Sequence, residues 1–172
     1  MSMGVRWQNM ITIRKFTLED TESTFTYSSD FENTHYMLMV PHKAIEETRD
    51  FLAKCIKEYE KEKPEYLSFA VVWDNQHIGE VFAYLSEKEA DIGWLIDKRY
   101  WGNGYATEAA KLFVEYLKTE RKRDDIVAYC DARNLASQKV MQNIGMEFAG
   151  SNGIRTYEKE VEDWEEVKYK LV

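Results

Sequence analysis

A strand-like segment passes through two closely spaced glycines into an amphipathic helix, and this passage restricts the fold more than any other part of the sequence. The strand covers residues 90–97, the glycines are Gly102 and Gly104, and the helix begins near Tyr105. A compact apolar strand at residues 126–131 follows the helix. A strand, a helix and a second strand in this order require a right-handed parallel crossover.

The two glycines also predict an anion-binding site. The first turn of a helix leaves about four backbone N–H groups without partners, and the helix dipole places roughly half a positive charge there. Glycine allows a ligand to approach the backbone closely, so the turn suits a phosphate or pyrophosphate group. The alternative is a tight turn that needs glycine only for its φ angles. Thr107 stands where a dinucleotide-binding fingerprint needs a third glycine, and Gly104 is not followed by the lysine of a P-loop.

The remaining segments predict an α+β fold. Alternation of apolar and polar residues indicates strands, and helical spacing indicates helices between them. The predicted strands are residues 10–16, 66–73, 78–85, 90–97, 126–131, 146–149 and 165–172, and the predicted helices are 17–28, 46–62, 105–117 and 134–144, with an irregular segment at 31–41. Three of these strands follow one another as an antiparallel meander. We therefore expect a mostly antiparallel mixed sheet with one parallel crossover, flanked by helices.

Length and composition limit the organisation and the partners. We expect one domain over residues 10–172 after an extension at residues 1–9, with Met10 as an alternative start. A net charge of −8 argues against nucleic acid as a partner. The three histidines lack metal-site spacing, and no apolar run reaches the roughly 20 residues of a membrane helix. Cys55 and Cys130 are expected to be buried free thiols, which fits a reducing cytoplasm. The protein would be a monomer, or a homodimer if an edge strand near the C-terminus pairs with another chain.

The loop residues resemble the acetyl-CoA loop of the GCN5-related N-acetyltransferase (GNAT) superfamily. Its signature, Arg/Gln-x-x-Gly-x-Gly/Ala, stands complete as Arg99-Tyr100-Trp101-Gly102-Asn103-Gly104. The longer run YWGNGYATEA is similar to the RimJ/RimL-like branch, as is the later pair Asn134 and Ser137. Several positions depart from the pattern: Ile144-Gly145-Met146 replaces the usual Leu-Gly-Phe, Asn143 replaces a common lysine, and Met141 stands where many members have a tyrosine acid.

The resemblance implies acetyl-CoA as co-substrate and a set of contacts to it. The strand would splay at Leu95 and Ile96, and a free N–H near Leu95 would face the acetyl carbonyl oxygen. Arg99 would place a charge beside the pyrophosphate. The N–H groups at the pyrophosphate would come from Gly102, Asn103, Gly104, Tyr105, Ala106 and Thr107. Asn134 and Ser137 would contact the pantetheine or the ribose side, although both residues also fit a helix cap.

Acetyl transfer to an amine requires a proton acceptor. A lysine-like amine with a pKa near 10.4 costs roughly 4.6 kcal/mol to deprotonate at pH 7, against about 1 kcal/mol for an α-amine. Asp91, at the position of a catalytic glutamate in some superfamily members, is the first candidate base, and Glu80 is the second. Either could instead be a solvated strand carboxylate. Ser137 or a water could protonate the leaving thiolate, with Tyr129 as a further option.

The sequence therefore predicts an N-acetyltransferase that moves an acetyl group to a primary amine by direct attack in a ternary complex. The acceptor would be a protein N-terminus, a polyamine or another small amine. Residues 36–39 and the acidic run 158–166 are candidate acceptor contacts, or else core packing and a solvated loop. The alternative function is a catalytically silent CoA-binding or sensor module.

Overall fold

A computed structural model describes residues 10–172, which form a seven-stranded mixed sheet with helices on both faces. The strands are β1 (Thr12–Lys15), β2 (Tyr66–Trp73), β3 (Gln76–Leu85), β4 (Ala90–Ile96), β5 (Ile126–Asp131), β6 (Met146–Arg155) and β7 (Trp164–Leu171). The helices are α1 (Thr21–Ser28), α2 (Phe31–Thr34), α3 (Ile45–Tyr59), α4 (Tyr105–Thr119) and α5 (Leu135–Asn143). Short 3₁₀ turns lie at Leu18–Asp20 and Lys98–Tyr100. The extension expected at residues 1–9 lies outside the described residues.

The strand order is β1-β2-β3-β4-β5-β7-β6, and every neighbouring pair is antiparallel except β4 and β5. Helix α4 makes the connection between these two parallel strands. The hairpin between β2 and β3 turns at Asp74 and Asn75, whose φ angles are 49° and 59°. Two consecutive positive φ angles are typical of a type I′ turn, which matches the twist of the flanking strands. The predicted α+β class and the meander are confirmed.

Apolar residues fill both sides of the sheet. Helices α4 and α5 bury Phe113, Leu117 and Met141 against one face, which we call the α4 face. On the opposite, α3 face, Leu52 and Cys55 pack near the sheet. Both cysteines are buried and free, as predicted. No helix within residues 10–172 is long and apolar enough to cross a membrane.

Two segments differ from the sequence-based predictions. The segment 31–41, expected to be irregular, contains the single turn α2, which is capped because the Asp30 carboxylate accepts the N–H of Asn33. Strand β6 continues to Arg155, six residues beyond its predicted end. Its pairing with β7 is interrupted by two irregularities, where Gly150 and Gly153 have positive φ angles. These interruptions break the alternation of side chains on which strand prediction depends.

Strands β3 and β4 approach one another closely at Gly79. A Cβ there would lie 2.3 Å from the Leu95 carbonyl oxygen and 2.8 Å from Ile96 Cα, both backbone atoms. We expect Gly79→Ala to lower the free energy of unfolding by about 1–3 kcal/mol, as overpacked positions do. Gly93→Ala is the matched control, because its Cβ would meet the Phe82 ring, a side chain that can rotate. Urea unfolding measures both, and an equal or larger loss for Gly93→Ala would contradict this account.

Candidate active site

A gap opens in the sheet because β4 and β5 diverge. Their parallel pairing consists of Ala90 with Ile126 and Asp91 with Val127. Beyond Asp91, β4 pairs only with β3 among the described strands. The gap thus begins earlier than the splay expected at Leu95 and Ile96, and it includes both residues.

The backbone alternation of β4 decides which N–H groups face the gap. The N–H of Asp97 donates to the carbonyl oxygen of Ile78 on β3, at 2.8 Å. Because successive residues of a strand direct their N–H and C=O groups to opposite edges, the N–H of Leu95 also faces β3. The N–H groups of Trp94 and Ile96 face the gap instead. The hydrogen-bond donor that was expected near Leu95 for the acetyl carbonyl oxygen is therefore better assigned to the N–H of Trp94, a residue that sequence reasoning missed.

The end of β4 is anchored at the Ile96 carbonyl. That oxygen accepts hydrogen bonds from Trp101 Nε1 and from Asn33 Nδ2, both at 2.7 Å. Trp101 belongs to the glycine loop and Asn33 to α2, so one peptide group fixes the loop and the α3-face segment together. Because the Ile96 carbonyl oxygen is occupied in this way, the N–H is the backbone group of Ile96 that is left to bind a ligand in the gap.

The glycine loop presents an uninterrupted series of N–H groups. Gly102 and Gly104 have φ angles of 79° and 76°, and Gly104 is the N-cap residue of α4. The six N–H groups of residues 102–107 have no acceptor within the described part of the chain. A Cβ at either glycine would meet no atom within 4 Å. The Asn103 side chain leaves the loop clear, because its Nδ2 donates back to the carbonyl oxygens of Tyr100 and Trp101. The loop therefore presents backbone N–H groups to open space, which is the geometry of an anion-binding nest.

Arg99 does not point at this nest. Its guanidinium binds the buried carboxylate of Asp97, with Nη2 at 2.6 Å from Oδ2, and its backbone N–H donates to the same carboxylate. Burial raises the pKa of Asp97, but the Arg99 hydrogen bonds outweigh this and hold it below its usual range. The same arrangement ends β5, where Arg133 binds Asp131. In this structure Arg99 fixes the turn, and its expected charge beside the pyrophosphate is largely neutralised.

Asn134 and Ser137 serve as a helix cap and also line the cavity described next. The Asn134 Oδ1 accepts the Ser137 N–H at 3.1 Å, and its Nδ2 donates to Ser137 Oγ at 3.0 Å. Both side chains line the cavity, as does Met141 one turn further along α5. The two interpretations of these residues are thus compatible.

A cavity of about 630 Å³ passes through the gap and reaches both faces of the sheet. Trp94 and the start of α5 line it on the α4 face. On the α3 face it is lined by aromatic and methionine side chains and by carboxylates, namely Tyr36, Met37, Met39, Phe51, Tyr66, Phe82, Tyr84, Glu80, Glu89, Asp91 and Glu166. Two reactants that enter from opposite faces could therefore meet inside the sheet.

Both candidate bases lie on the α3 face and have raised pKa values. Burial raises the pKa of Glu80 to about 7, although the hydroxyl of Ser68 donates to Glu80 Oε2 at 2.6 Å and opposes the shift. Burial also raises the pKa of Asp91 to about 7. Neighbouring carboxylates add to that shift, and Arg155 and Lys168 oppose it. Groups that ionise near neutral pH are suited to accept a proton at that pH.

The other two carboxylates of the cavity are paired with cations. Glu89 accepts from Lys168 Nζ at 2.9 Å and from the Tyr129 hydroxyl at 2.5 Å. Glu166 accepts from Arg155 and, at 2.8 Å, from Asn152. The expected option of Tyr129 as an acid is weakened, because its proton is held by Glu89.

Residues 36–39 line the cavity, and the β6–β7 connection holds them in place. Lys159 Nζ donates to the carbonyl oxygens of Thr34, Met37 and Met39. Of the six carboxylates in the acidic run 158–166, only Glu166 reaches the cavity, and the other five are exposed. The acidic run is thus mostly a solvated loop.

Sequence reasoning also missed the aromatic wall on the α3 face. The Tyr66 and Tyr84 ring centroids lie 4.9 Å apart, and those of Phe82 and Tyr84 6.0 Å apart. Phe82 and Tyr84 alternate with buried residues along β3, as does Glu80, so strand periodicity alone could have assigned all three to one face.

Comparison with known proteins identifies the family of the chain. The model of the acetyltransferase (GNAT) domain matches residues 10–147. The chain belongs to the GNAT family. It is 28% identical to the uncharacterized N-acetyltransferase YnaD of Bacillus subtilis, covering 94% of this chain and 93% of that protein. As a GNAT N-acetyltransferase, it takes its acetyl group from acetyl-CoA.

Solved structures of acetyltransferases share the fold. A GNAT-family acetyltransferase from Bacillus anthracis superposes with a TM-score of 0.79 at 29% identity, covering 96% of both chains. RimL, a ribosomal L7/L12 alpha-N-protein acetyltransferase in complex with coenzyme A, superposes with a TM-score of 0.80 at 16% identity, covering 94% of both chains. The predicted likeness to RimJ/RimL proteins is confirmed at the level of the fold.

The raised pKa of Glu80 has a consequence for stability. The unfolded chain loses this proton near the usual value of 4.5 and the folded chain near 7, so wild-type stability falls as the pH rises between these values. Glu80→Gln removes this dependence. Relative to wild type, we expect the variant to gain about 2–3 kcal/mol in free energy of unfolding between pH 5 and pH 8. Urea unfolding at both pH values measures this, and a constant difference would show that folding does not raise the pKa of Glu80.

Proposed function

We propose that the chain acetylates a primary amine bound on the α3 face, using acetyl-CoA bound on the α4 face, by direct attack within a ternary complex. The observation that carries this proposal is the cavity that joins the two faces through the gap beside β4. Holding two reactants side by side in one cavity supplies much of the rate of such a reaction.

The loop and the strand would hold the donor. The pyrophosphate suits the N–H groups of residues 102–107, and the pantetheine suits the unpaired edge of β4 with Asn134 and Ser137 nearby. Acetyl-CoA supplies the activated acetyl group. The N–H of Trp94 is placed to stabilise negative charge that develops on the thioester carbonyl oxygen.

Asp91 is our first candidate for the base and Glu80 the second. The amine nitrogen forms a bond to the acetyl carbon, the carbon–sulfur bond breaks, and the proton of the amine passes to the carboxylate. Asp91 lies at the base of the gap, where β4 and β5 separate, and its carboxylate has no hydrogen-bond partner among residues 10–172. The thiolate, with a pKa near 8.5, needs a proton less urgently; the Ser137 hydroxyl on the cavity wall is the candidate donor.

A protein N-terminus, a polyamine and another small amine are all candidate acceptors. Two proteins of similar fold support the first of these: RimL is a ribosomal L7/L12 alpha-N-protein acetyltransferase, and a structure from Vibrio fischeri is that of a ribosomal-protein-S5-alanine acetyltransferase. For all three acceptors, the carboxylates of Glu80 and Asp91 favour binding of the cationic form, since unpaired negative charge attracts ammonium groups.

Asp91→Asn tests the base. General bases contribute about 10²–10⁴-fold, so we expect kcat to fall by at least about 10²-fold. In the wild type kcat should rise with pH through about 7, as Asp91 loses its proton, and level off above; the variant should lose this step. Glu89 and Glu166 raise the pKa of Asp91, and Arg155 and Lys168 lower it.

The exposed Asp50→Asn on α3 is the matched control and should keep the wild-type profile. An unchanged profile in Asp91→Asn would remove Asp91 as the base. Coenzyme A binding without turnover of any amine would favour the silent CoA-binding alternative.

Gly104→Ala tests the donor site. Its Cβ would enter the open space in front of the N–H nest, and we expect the affinity for coenzyme A to fall about tenfold or more. Gly145→Ala is the control, because Gly145 also has a positive φ, of 91°, and open space around it, but lies at the far end of α5. Thermal stabilisation by coenzyme A measures both, and equal losses would contradict the assignment.

A further inference from the structure

Glu80 and Asp91 are the two carboxylates of the cavity without a cationic partner among residues 10–172. The other two cavity carboxylates each bind a lysine or an arginine. Glu80 is 4% exposed, and the Ser68 hydroxyl is its partner at one oxygen. A buried carboxylate with no cation nearby is costly unless a charged partner arrives. A ligand with two positive charges would supply that partner at both positions.

The two carboxylates flank the place where the donor and acceptor would meet. On the α3 face, Glu80, Phe82 and Tyr84 of β3 stand opposite Leu95, Gly93 and Asp91 of β4, in that order. Glu80 and Asp91 thus lie at diagonal corners of this patch of six residues. Four residues along the strand direction separate them, a backbone distance of about 13 Å. Gly93 lies midway, next to Trp94, whose N–H faces the gap.

Aromatic rings fill the space between these corners. The Phe82 ring lies over Gly93, since a Cβ there would come within 2.3 Å of Phe82 Cζ. Tyr84 and Tyr66 extend the wall from Phe82. Aromatic faces attract ammonium groups and also pack well against alkyl chains. A chain of methylene groups with an ammonium at each end matches this order of surfaces.

The geometry points to a dicationic acceptor, an alkyl diamine or polyamine, whose reacting amine lies beside Asp91 and whose second ammonium binds Glu80. This inference rests on the proposed function and narrows it to one acceptor class. A protein N-terminus would bring a single reacting amine and leave Glu80 without a cation. Glu80 then selects the substrate, and Asp91 accepts the proton.

The experiment compares matched amines with the full chain and acetyl-CoA while the free thiol of coenzyme A is followed. The probes are putrescine, spermidine, n-butylamine as the monocationic counterpart of putrescine, and a short peptide with a free N-terminus. The variants are Glu80→Gln, which keeps a hydrogen-bond acceptor for Ser68, and Asp50→Asn as the exposed control. Calorimetric titration of putrescine into the coenzyme A complex provides a measurement that does not depend on turnover.

We expect the wild type to prefer a diamine over n-butylamine at least tenfold in kcat/KM. Glu80→Gln should reduce that ratio about tenfold or more, chiefly through the KM of the diamine, because it removes a charged partner. Asp50→Asn should keep the wild-type ratio. Equal use of diamine and monoamine, a strong preference for the peptide, or an equal loss for both amines in Glu80→Gln would overturn the inference.

The binding measurement separates the two proposals. Putrescine that binds the wild-type complex and binds Glu80→Gln at least tenfold more weakly, without any turnover, would support the diamine site and reject the proposed transfer reaction. Turnover of amines together with no detectable binding preference for putrescine would reject the diamine site and keep the proposed function.

Discussion

Two residue pairs join β4 to β5, although both strands continue for several residues beyond them. Every other part of the site depends on this short pairing. The divergence leaves the N–H groups of Trp94 and Ile96 unpaired toward the gap and allows one cavity to reach both faces of the sheet. An unpaired strand edge inside a protein is costly without a partner, and in the proposed function the pantetheine arm of acetyl-CoA would supply that partner.

The ends of the two diverging strands are fixed in the same way. Asp97 binds Arg99 after β4, and Asp131 binds Arg133 after β5, each through the guanidinium and the backbone N–H. These pairs set the direction in which the chain enters the glycine loop and α5. The loop and the α5 cap therefore converge on the α4 face, while the carboxylates and aromatic rings collect on the α3 face. In the proposed reaction, acetyl-CoA and the amine would therefore approach from opposite faces of the sheet.

The backbone geometry of the glycine loop and of the α5 cap could be predicted from the sequence because its determinants are local. The positive φ angles of Gly102 and Gly104 and the start of α4 follow from neighbouring residues, and so does the Asn134 cap. The prediction was less accurate where tertiary pairing decides. The N–H of Leu95 itself faces β3 because of the register with that strand, and Arg99 binds Asp97, whereas its charge was expected beside the pyrophosphate. The segment 31–41 and the full length of β6 depend on capping and on bulged pairing with β7.

The sequence by itself determined the order of elements, the glycine turn into α4 and the resemblance to GNAT acetyltransferases, because periodicity, glycine positions and motif spacing are properties of short segments. Only the tertiary structure decided which carboxylates are free. Glu89 pairs with Lys168 and Glu166 with Arg155 across separate strands and turns, whereas Glu80 and Asp91 form no salt bridge with any residue of 10–172. Charge pairing depends on distances between residues far apart in sequence, and those distances exist only once the chain has folded.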